Sequence, residues 1–477
     1  MNIYTGELSL EVKNPGNITS WYTDHNGIVR AAATTDGVNN TFLYRKNSHD
    51  NFKPLFTTSF TESFEPLFFT FDNKNIYALS NIGTDKARAI IYDPNTKKQI
   101  RTIYKNNEVD VSGLTYSKKR KVLTTVRYYT SKLQRIFLDK EIKKVFNNIQ
   151  KKLPKDLEIS ISSSNKNEDR FIIRTYSDKT LGSYYFYETR TDTLTKLADL
   201  SPWLDPSQMA SMEPIKFISR DGLTINGYLT LPLLPVGVKP KNLPVVINPH
   251  GGPWARDTWG FDPEVQFLAN RGYAVLQINF RGSTGYGKKF WKASFKQWGL
   301  KMQDDISDAT KWLIKKGIAD PKRIAIYGGS YGGYATLAGL TFTPDLYACG
   351  VDYVGVSNLF TFMKSIPPYW KPYLDMFYKM VGDPEKDKEL FTRTSPVYHA
   401  DKIKVPLLIA QGAKDPRVNI NESNQIVDAL KKRGINVPYL VKDNEGHGFR
   451  NEENRFEFYE AMEKFLSGCI GGTKWEQ

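Results

Sequence analysis

Cysteine is almost missing from this chain: there are two in 477 residues, Cys349 and Cys469. Two thiols so far apart in sequence make neither a disulfide framework nor a structural zinc site, and both are expected to stay unpaired. Histidine is nearly as scarce, with five, so few imidazoles are available for any chemistry. No apolar run approaches the ~18 residues of a membrane span, and the start Met1-Asn2-Ile3-Tyr4 lacks the basic and apolar regions of a secretory signal. No membrane partner is expected and the compartment reads as cytoplasmic; an N-terminal signal missing from the sequence would instead make it periplasmic or secreted. Acidic residues are outnumbered, 51 Asp+Glu against 66 Lys+Arg, for a formal charge of +15. The excess is scattered over both halves without a nucleic-acid module, so it reads as a solvated surface and no nucleic-acid partner is expected.

What is present describes an ordinary globular protein, with 40% hydrophobic, 13% aromatic and 25% charged residues. The length exceeds what one core usually supports, and two domains are expected. From about residue 19 to 198 short runs rich in Val, Ile, Tyr, Phe and Thr alternate with Asp/Asn/Gly/Lys turns, a β signature. A strand-turn-strand motif repeats from Trp21 to Val29, Phe69 to Tyr77 and Leu114 to Val122, with a weaker copy from Ile159 to Ile172. Repeats of ~40–50 residues with four short strands suggest propeller blades, a β-sandwich being the alternative. Asp139 to Leu153, with Ile142, Val145, Phe146 and Ile149 at helical spacing, reads as an amphipathic helix.

The turn-forming segment Ser201-Pro202-Trp203-Leu204-Asp205-Pro206 ends the repeats, so the domains are read as 1–205, an all-β partial propeller, and 206–477. Beyond it strands and helices alternate, which predicts an α/β domain with a mainly parallel sheet. Strands are expected at 215–218, 225–230, 245–247, 274–279, 323–327, 350–354, 406–410 and 437–441, and a helix at 304–316.

The sharpest signal is Gly328-Gly329-Ser330-Tyr331-Gly332, a Gly-x-Ser-x-Gly string after an apolar strand and before a helix. A serine hydroxyl attacks a carbonyl only when a base takes its proton and the backbone presents it. Glycines at 328 and 332 permit the strained elbow that does the presenting. In an α/β-hydrolase the acid and base follow the nucleophile in the order Ser, Asp, His, on loops after later strands. Asp415 lies on the turn after the strand at 406–410, and His447, between Gly446 and Gly448, lies on the loop after 437–441. His25, His49, His250 and His399 stand in the wrong places. Asp383, Asp387 and Asp401 are rival acids, but only Asp415 directly follows a strand. The Tyr331 amide and a second amide from His250-Gly251-Gly252-Pro253, that of Gly252, are expected to form the oxyanion hole. Arg281-Gly282-Ser283-Thr284-Gly285-Tyr286-Gly287 lacks the ending of a phosphate-binding loop. No metal or other cofactor is called for.

Arg220-Asp221-Gly222, His250 to Pro253, Asn279 to Gly287, Gly328 to Gly333, Gly412 to Asp415 and Glu445 to Phe449 together resemble the prolyl oligopeptidase family of serine peptidases, in its acylaminoacyl-peptidase and dipeptidyl-peptidase-like branches. The resemblance covers roughly residues 213 to 467. It implies a propeller capping the active site, a short peptide as substrate, and a substrate pocket to which Phe360, Tyr369, Trp370 and Phe377 would contribute. The family's propellers have about seven or eight blades, whereas residues 1–205 have room for about four; the N-terminus could be truncated, and the exposed strand edges would then favour a homo-dimer. The rival readings are a carboxylesterase on small acyl esters, which uses the same machinery, and a catalytically silent propeller-type binding protein.

Overall fold

The computed structural model describes residues 1–473. Up to Asp199 the chain forms antiparallel meanders that follow one another in chain order, over 18–59, 64–104, 111–137 and 158–199; the third has three strands and the others four. Each opens on a repeated strand-turn-strand unit: Ile18–Thr23 with Val29–Thr35, Phe64–Phe69 with Ile76–Ser80, Val111–Ser117 with Val122–Tyr129, and Glu158–Ser164 with Arg170–Tyr176. Polar turn side chains tie off these hairpins. Asp24 accepts the amides of Asn26 and Ile28 at 2.9 and 3.1 Å, and Asn165 accepts those of Asp169 and Arg170, both at 3.1 Å.

The second sheet decides between blades and a sandwich. Ile76, Ala78, Ile90 and Tyr92 pack with Phe42 and Phe64 in one core, while the alternating Tyr77, Leu79, Ala89 and Ile91 pack with Leu114 and Val126 of the third sheet. A sheet that buries both faces against successive neighbours is a blade in an array, which sets the sandwich aside. The expected helix spans Lys140–Gln150, capped by Asp139, and its Ile149 is buried against Ile159, Phe171 and Ile173 of the fourth sheet.

From Met212 the chain builds one eight-stranded sheet: β1 (Met212–Ile218), β2 (Thr224–Thr230), β3 (Leu243–Ile247), β4 (Ala274–Asn279), β5 (Ala319–Gly329), β6 (Cys349–Tyr353), β7 (Leu407–Gly412) and β8 (Tyr439–Lys442). The spatial order is β1-β2-β4-β3-β5-β6-β7-β8. β1–β2 and β2–β4 pair antiparallel and all the rest parallel. Strands covered on both faces are mainly apolar, and β4 and β7 are buried at every residue, Gln277, Asn279 and Gln411 included. Helices Lys301–Lys315 and Tyr331–Phe342 lie over one core, and Pro263–Asn270 and Glu452–Ile470 over the other. This is an α/β-hydrolase fold. β7 and β8 start later than expected, at Leu407 and Tyr439, because Pro406 and Pro438 have no N–H to give the ladder. Both cysteines are free thiols, and no helix among the described residues is long and apolar enough to cross a membrane.

Candidate active site

β5 ends directly on the elbow. Ser330 sits at φ 59°, ψ −117°, in the left-handed half of φ/ψ space, and opens the helix Tyr331–Phe342. The glycines around it are enforced by contact. A Cβ on Gly328 would lie 2.7 Å from the backbone of Gly332, and one on Gly332 would lie 2.2 Å from the carbonyl oxygen of Pro249. The Ser330 amide donates to the carbonyl of Tyr353 at 2.9 Å, so the hydroxyl is fixed above the C-terminal ends of β5 and β6.

Asp415 and His447 arrive on two turns zipped together. Ala413 and Lys414 donate their amides to the carbonyls of Lys442 and Glu445, both at 2.9 Å, and a Cβ on Gly412 would strike the Gly446 carbonyl oxygen at 2.2 Å. The result is a line of three groups: the Asp415 Oδ2 lies 2.7 Å from His447 Nδ1, and His447 Nε2 lies 3.0 Å from Ser330 Oγ. Nδ1–H donates to the carboxylate, which leaves Nε2 to accept the hydroxyl proton. The other carboxylate oxygen accepts the amides of Arg417 and Val418 at 2.8 and 2.9 Å. Gln411, itself held by Ser423 at 3.0 Å, stands 3.4 Å from Oδ2. The Asp415 side chain is wholly buried, whereas 15% of the His447 side chain is exposed.

Glu445 anchors the His447 loop from its N-terminal side. It accepts the amides of Arg450 and Asn451 and the side chains of Asn451 and Asn454, at 2.8 to 2.9 Å. Burial works to raise its pKa, but these donors, Asn454 foremost, outweigh it and hold the carboxyl down to about 2.

The His250–Pro253 loop passes beside Ser330: a Cβ on Gly251 would be 3.6 Å from that of the serine. Gly252 has φ 122°, a conformation that suits glycine. His250 turns away from the serine. Its ring stacks on Phe280 at 4.3 Å, Nδ1–H donates to the Gly251 carbonyl and Nε2 lies 2.9 Å from the hydroxyl of Ser283, which donates to the Phe280 carbonyl. Burial lowers its pKa to about 4, so it is a neutral strut. The Tyr331 amide is the first of its helix, where no intrahelical acceptor exists; its ring is buried against Phe280, Trp298 and Tyr334.

The four aromatics expected in a pocket separate. Trp370 stacks on Phe377 at 5.6 Å and carries Tyr369 on its edge, Phe377 meets Trp254, and the Arg417 guanidinium lies 6.0 Å from the Trp370 ring centre. These rings span from the Gly252 loop to the Asp415 turn. Phe360 stands apart, packed on Phe391 and Tyr398. The sequence gives no role to Trp254, Arg417, Gln411 or Glu445, although Trp254 directly follows the His250–Pro253 motif, Arg417 lies two residues beyond Asp415 and Glu445 opens the motif that carries His447. Among the described residues no cluster of three or more His, Cys, Asp or Glu is placed to hold a metal ion.

An α/β-hydrolase with a serine elbow, an imidazole and a carboxylate in line belongs to the serine hydrolases in architecture. The prolyl oligopeptidase family matches it over residues 259–473. Dipeptidyl aminopeptidase BIII of Pseudoxanthomonas mexicana is 36% identical over 99% of this chain and 69% of its own length. Dipeptidyl peptidase family member 6 of Caenorhabditis elegans is 31% identical over 99% of the chain and 68% of its own. A puromycin-hydrolyzing peptidase of Mycobacterium tuberculosis superposes with a TM-score of 0.79 at 22% identity, covering 96% of this chain and 70% of that one. The chain belongs to the prolyl oligopeptidase family, and is a serine peptidase acting on peptides.

Proposed function

We propose that Ser330, His447 and Asp415 are the catalytic triad of a peptidase that hydrolyses short peptides through an acyl-enzyme intermediate. The single observation that carries this is the unbroken line Asp415–His447–Ser330, with spacings of 2.7 and 3.0 Å. His447 Nε2 takes the Ser330 proton as Oγ attacks the peptide carbonyl, then delivers it to the leaving amine; water repeats the sequence to release the acid. Asp415 fixes the Nδ1–H tautomer and stabilises the imidazolium. The Tyr331 and Gly252 amides receive the oxyanion, and Trp370 and Phe377 wall one side of the cleft. The domain boundary is placed at 205/206, with the blades acting as the cap.

The two relatives described above, each matched over nearly the whole chain, are named as dipeptidyl peptidases, which favours removal of dipeptides from a free N-terminus over removal of acylated residues. The test is turnover of dipeptidyl-arylamides with free and acetylated N-termini beside p-nitrophenyl esters, for the wild type and Ser330→Ala. The expected result is cleavage of the free-amine arylamide, lost in Ser330→Ala together with fluorophosphonate labelling. Arylamide hydrolysis at background with brisk ester hydrolysis would replace the peptidase reading by an esterase.

A further inference from the structure

The nucleophile and the base are carried by different loops, and one side chain touches both. Tyr353, the last residue of β6, lies opposite Gly329 in the β5–β6 register. Its carbonyl accepts the Ser330 amide at 2.9 Å. Its hydroxyl accepts the backbone N–H of Phe449, two residues beyond His447. Its ring meets the Phe449 ring edge-on at 5.2 Å and stacks on Phe458 at 4.5 Å. A Cβ on Gly329 would lie 3.5 Å from the Tyr353 ring, and one on Gly448 would lie 3.7 Å from its hydroxyl.

The base loop needs such a tether. His447 lies between Gly446 and Gly448, the latter at φ 90°, so little in the local backbone stiffens it. Glu445 holds the loop on one side of the histidine, and on the other the buried Phe449 amide depends on the Tyr353 hydroxyl. Burial pushes the phenol up to about 12, so the group stays a neutral hydroxyl at working pH. The following residue shows that the segment is held firmly: Val354 sits at φ 49°, which a β-branched residue rarely adopts, and its amide donates to Ala410 at 2.9 Å.

We propose that Tyr353 is a positioning residue which sets the distance from His447 to Ser330 by binding the amide of one loop through its hydroxyl and that of the other through its carbonyl. This rests on the triad reading above. Proton transfer from Oγ to Nε2 falls steeply with misplacement, so the effect belongs in kcat rather than in substrate binding.

The test compares Tyr353→Phe, which removes only the hydroxyl, with Phe458→Leu, which weakens the same ring stack away from the reacting atoms. Rates per active site are taken by fluorophosphonate titration, with melting temperatures alongside. For Tyr353→Phe, kcat on a dipeptidyl-arylamide is expected to fall about tenfold with KM within about twofold, and the labelling rate to fall in step. For Phe458→Leu, kcat is expected to stay within about twofold of wild type even if melting drops. Wild-type kcat in Tyr353→Phe overturns the proposal, as does an equal loss in Phe458→Leu, which would mean general packing. Full turnover by Ser330→Ala would instead remove the triad reading itself, so the two failures are distinguishable.

Discussion

Asp415 does more than carry charge: its buried carboxylate spends one oxygen on the Arg417 and Val418 amides and the other on His447. Asp415→Asn keeps the volume but can present an N–H where the imidazole also presents one, so the base is driven to the wrong tautomer. We expect kcat to fall by about 10⁴ with little change in melting temperature, measured by arylamide kinetics and thermal unfolding. Gly332→Ala should behave oppositely. Its new Cβ would sit 2.2 Å from a backbone carbonyl that cannot yield without moving the Pro249–Gly251 loop. A loss of about 2 kcal/mol or more in stability is expected with loss of labelling at Ser330, read by urea unfolding and fluorophosphonate probe. At this scale the sequence was legible wherever chemistry imposes a residue type at a fixed place: serine between glycines, one histidine after the last strand, one aspartate at a strand end. Tyr353 was not, because its role arises from a contact with a segment far away in the chain, and nothing local marks a tyrosine whose hydroxyl meets another loop's amide. Gln411 and Glu445 bond residues close to them in sequence, but residue type alone does not say that a buried Gln or Glu serves as an anchor.

Elements place these groups through their ends. The turns after β7 and β8 are joined by two backbone hydrogen bonds and a glycine contact, so Asp415 and His447 sit on one joined unit while the elbow is set by β5 and β6. Alternation and apolar runs located the strands well. They erred at the ends of β7 and β8, where proline removes a ladder donor. The pocket aromatics were beyond such reading: ring spacing within one segment does not say which rings face the cleft, and Phe360 faces Phe391 instead. Glu445 gives the loop a pH limit. Its folded pKa of about 2 lies below the ordinary 4.5, so its contribution is present above about 4.5 and is lost as pH falls toward 2. Glu445→Gln, with an amide turned into a cluster of donors, should lower kcat about tenfold at pH 7. The loss of loop protection expected of the wild type only in acid should already be present there, as hydrogen exchange at Phe449 and Arg450 would reveal. Wild-type protection in the variant would mean the carboxylate is not the anchor.

Across the whole molecule the blades and the hydrolase sheet meet at a motif the sequence flagged without explaining. In the Arg281–Gly287 loop, Arg281 is buried between Asp221 and Asp305, Gly287 donates its amide to Asp110 at 3.1 Å, and Lys288 pairs with Glu62. Gly282, Gly285 and Gly287 have φ of 100°, 85° and 89°, which suit glycine, and they face Ser294, Arg256 and Lys86 of other segments, contacts no local pattern could disclose. Stability against pH is the property that integrates this architecture, and Asp352 is one of the groups that shape it. The residue is fully buried at the end of β6, wedged against Gly333 and Gly355, and neither carboxylate oxygen has a well-formed hydrogen bond. Burial, with only the Gly355 amide opposing it and Glu422 adding to it, raises its pKa to about 7; Glu422 is itself raised by burial, and Tyr439 is the other titratable group facing Asp352. The unfolded chain ionises Asp352 near 3.8 while the folded one keeps the proton, so stability is complete below that pH, declines as pH rises toward about 7 and levels off above it. Asp352→Asn removes this titration. Its melting temperature should fall less between pH 5 and pH 8 than that of the wild type, with a residual slope from Asp257, which burial raises to about 8, and from Glu422, and at pH 8 it should be the more stable protein by an amount on the order of 1 kcal/mol or more. Parallel melting curves for the two proteins across that range would show that Asp352 already ionises in the folded state at low pH.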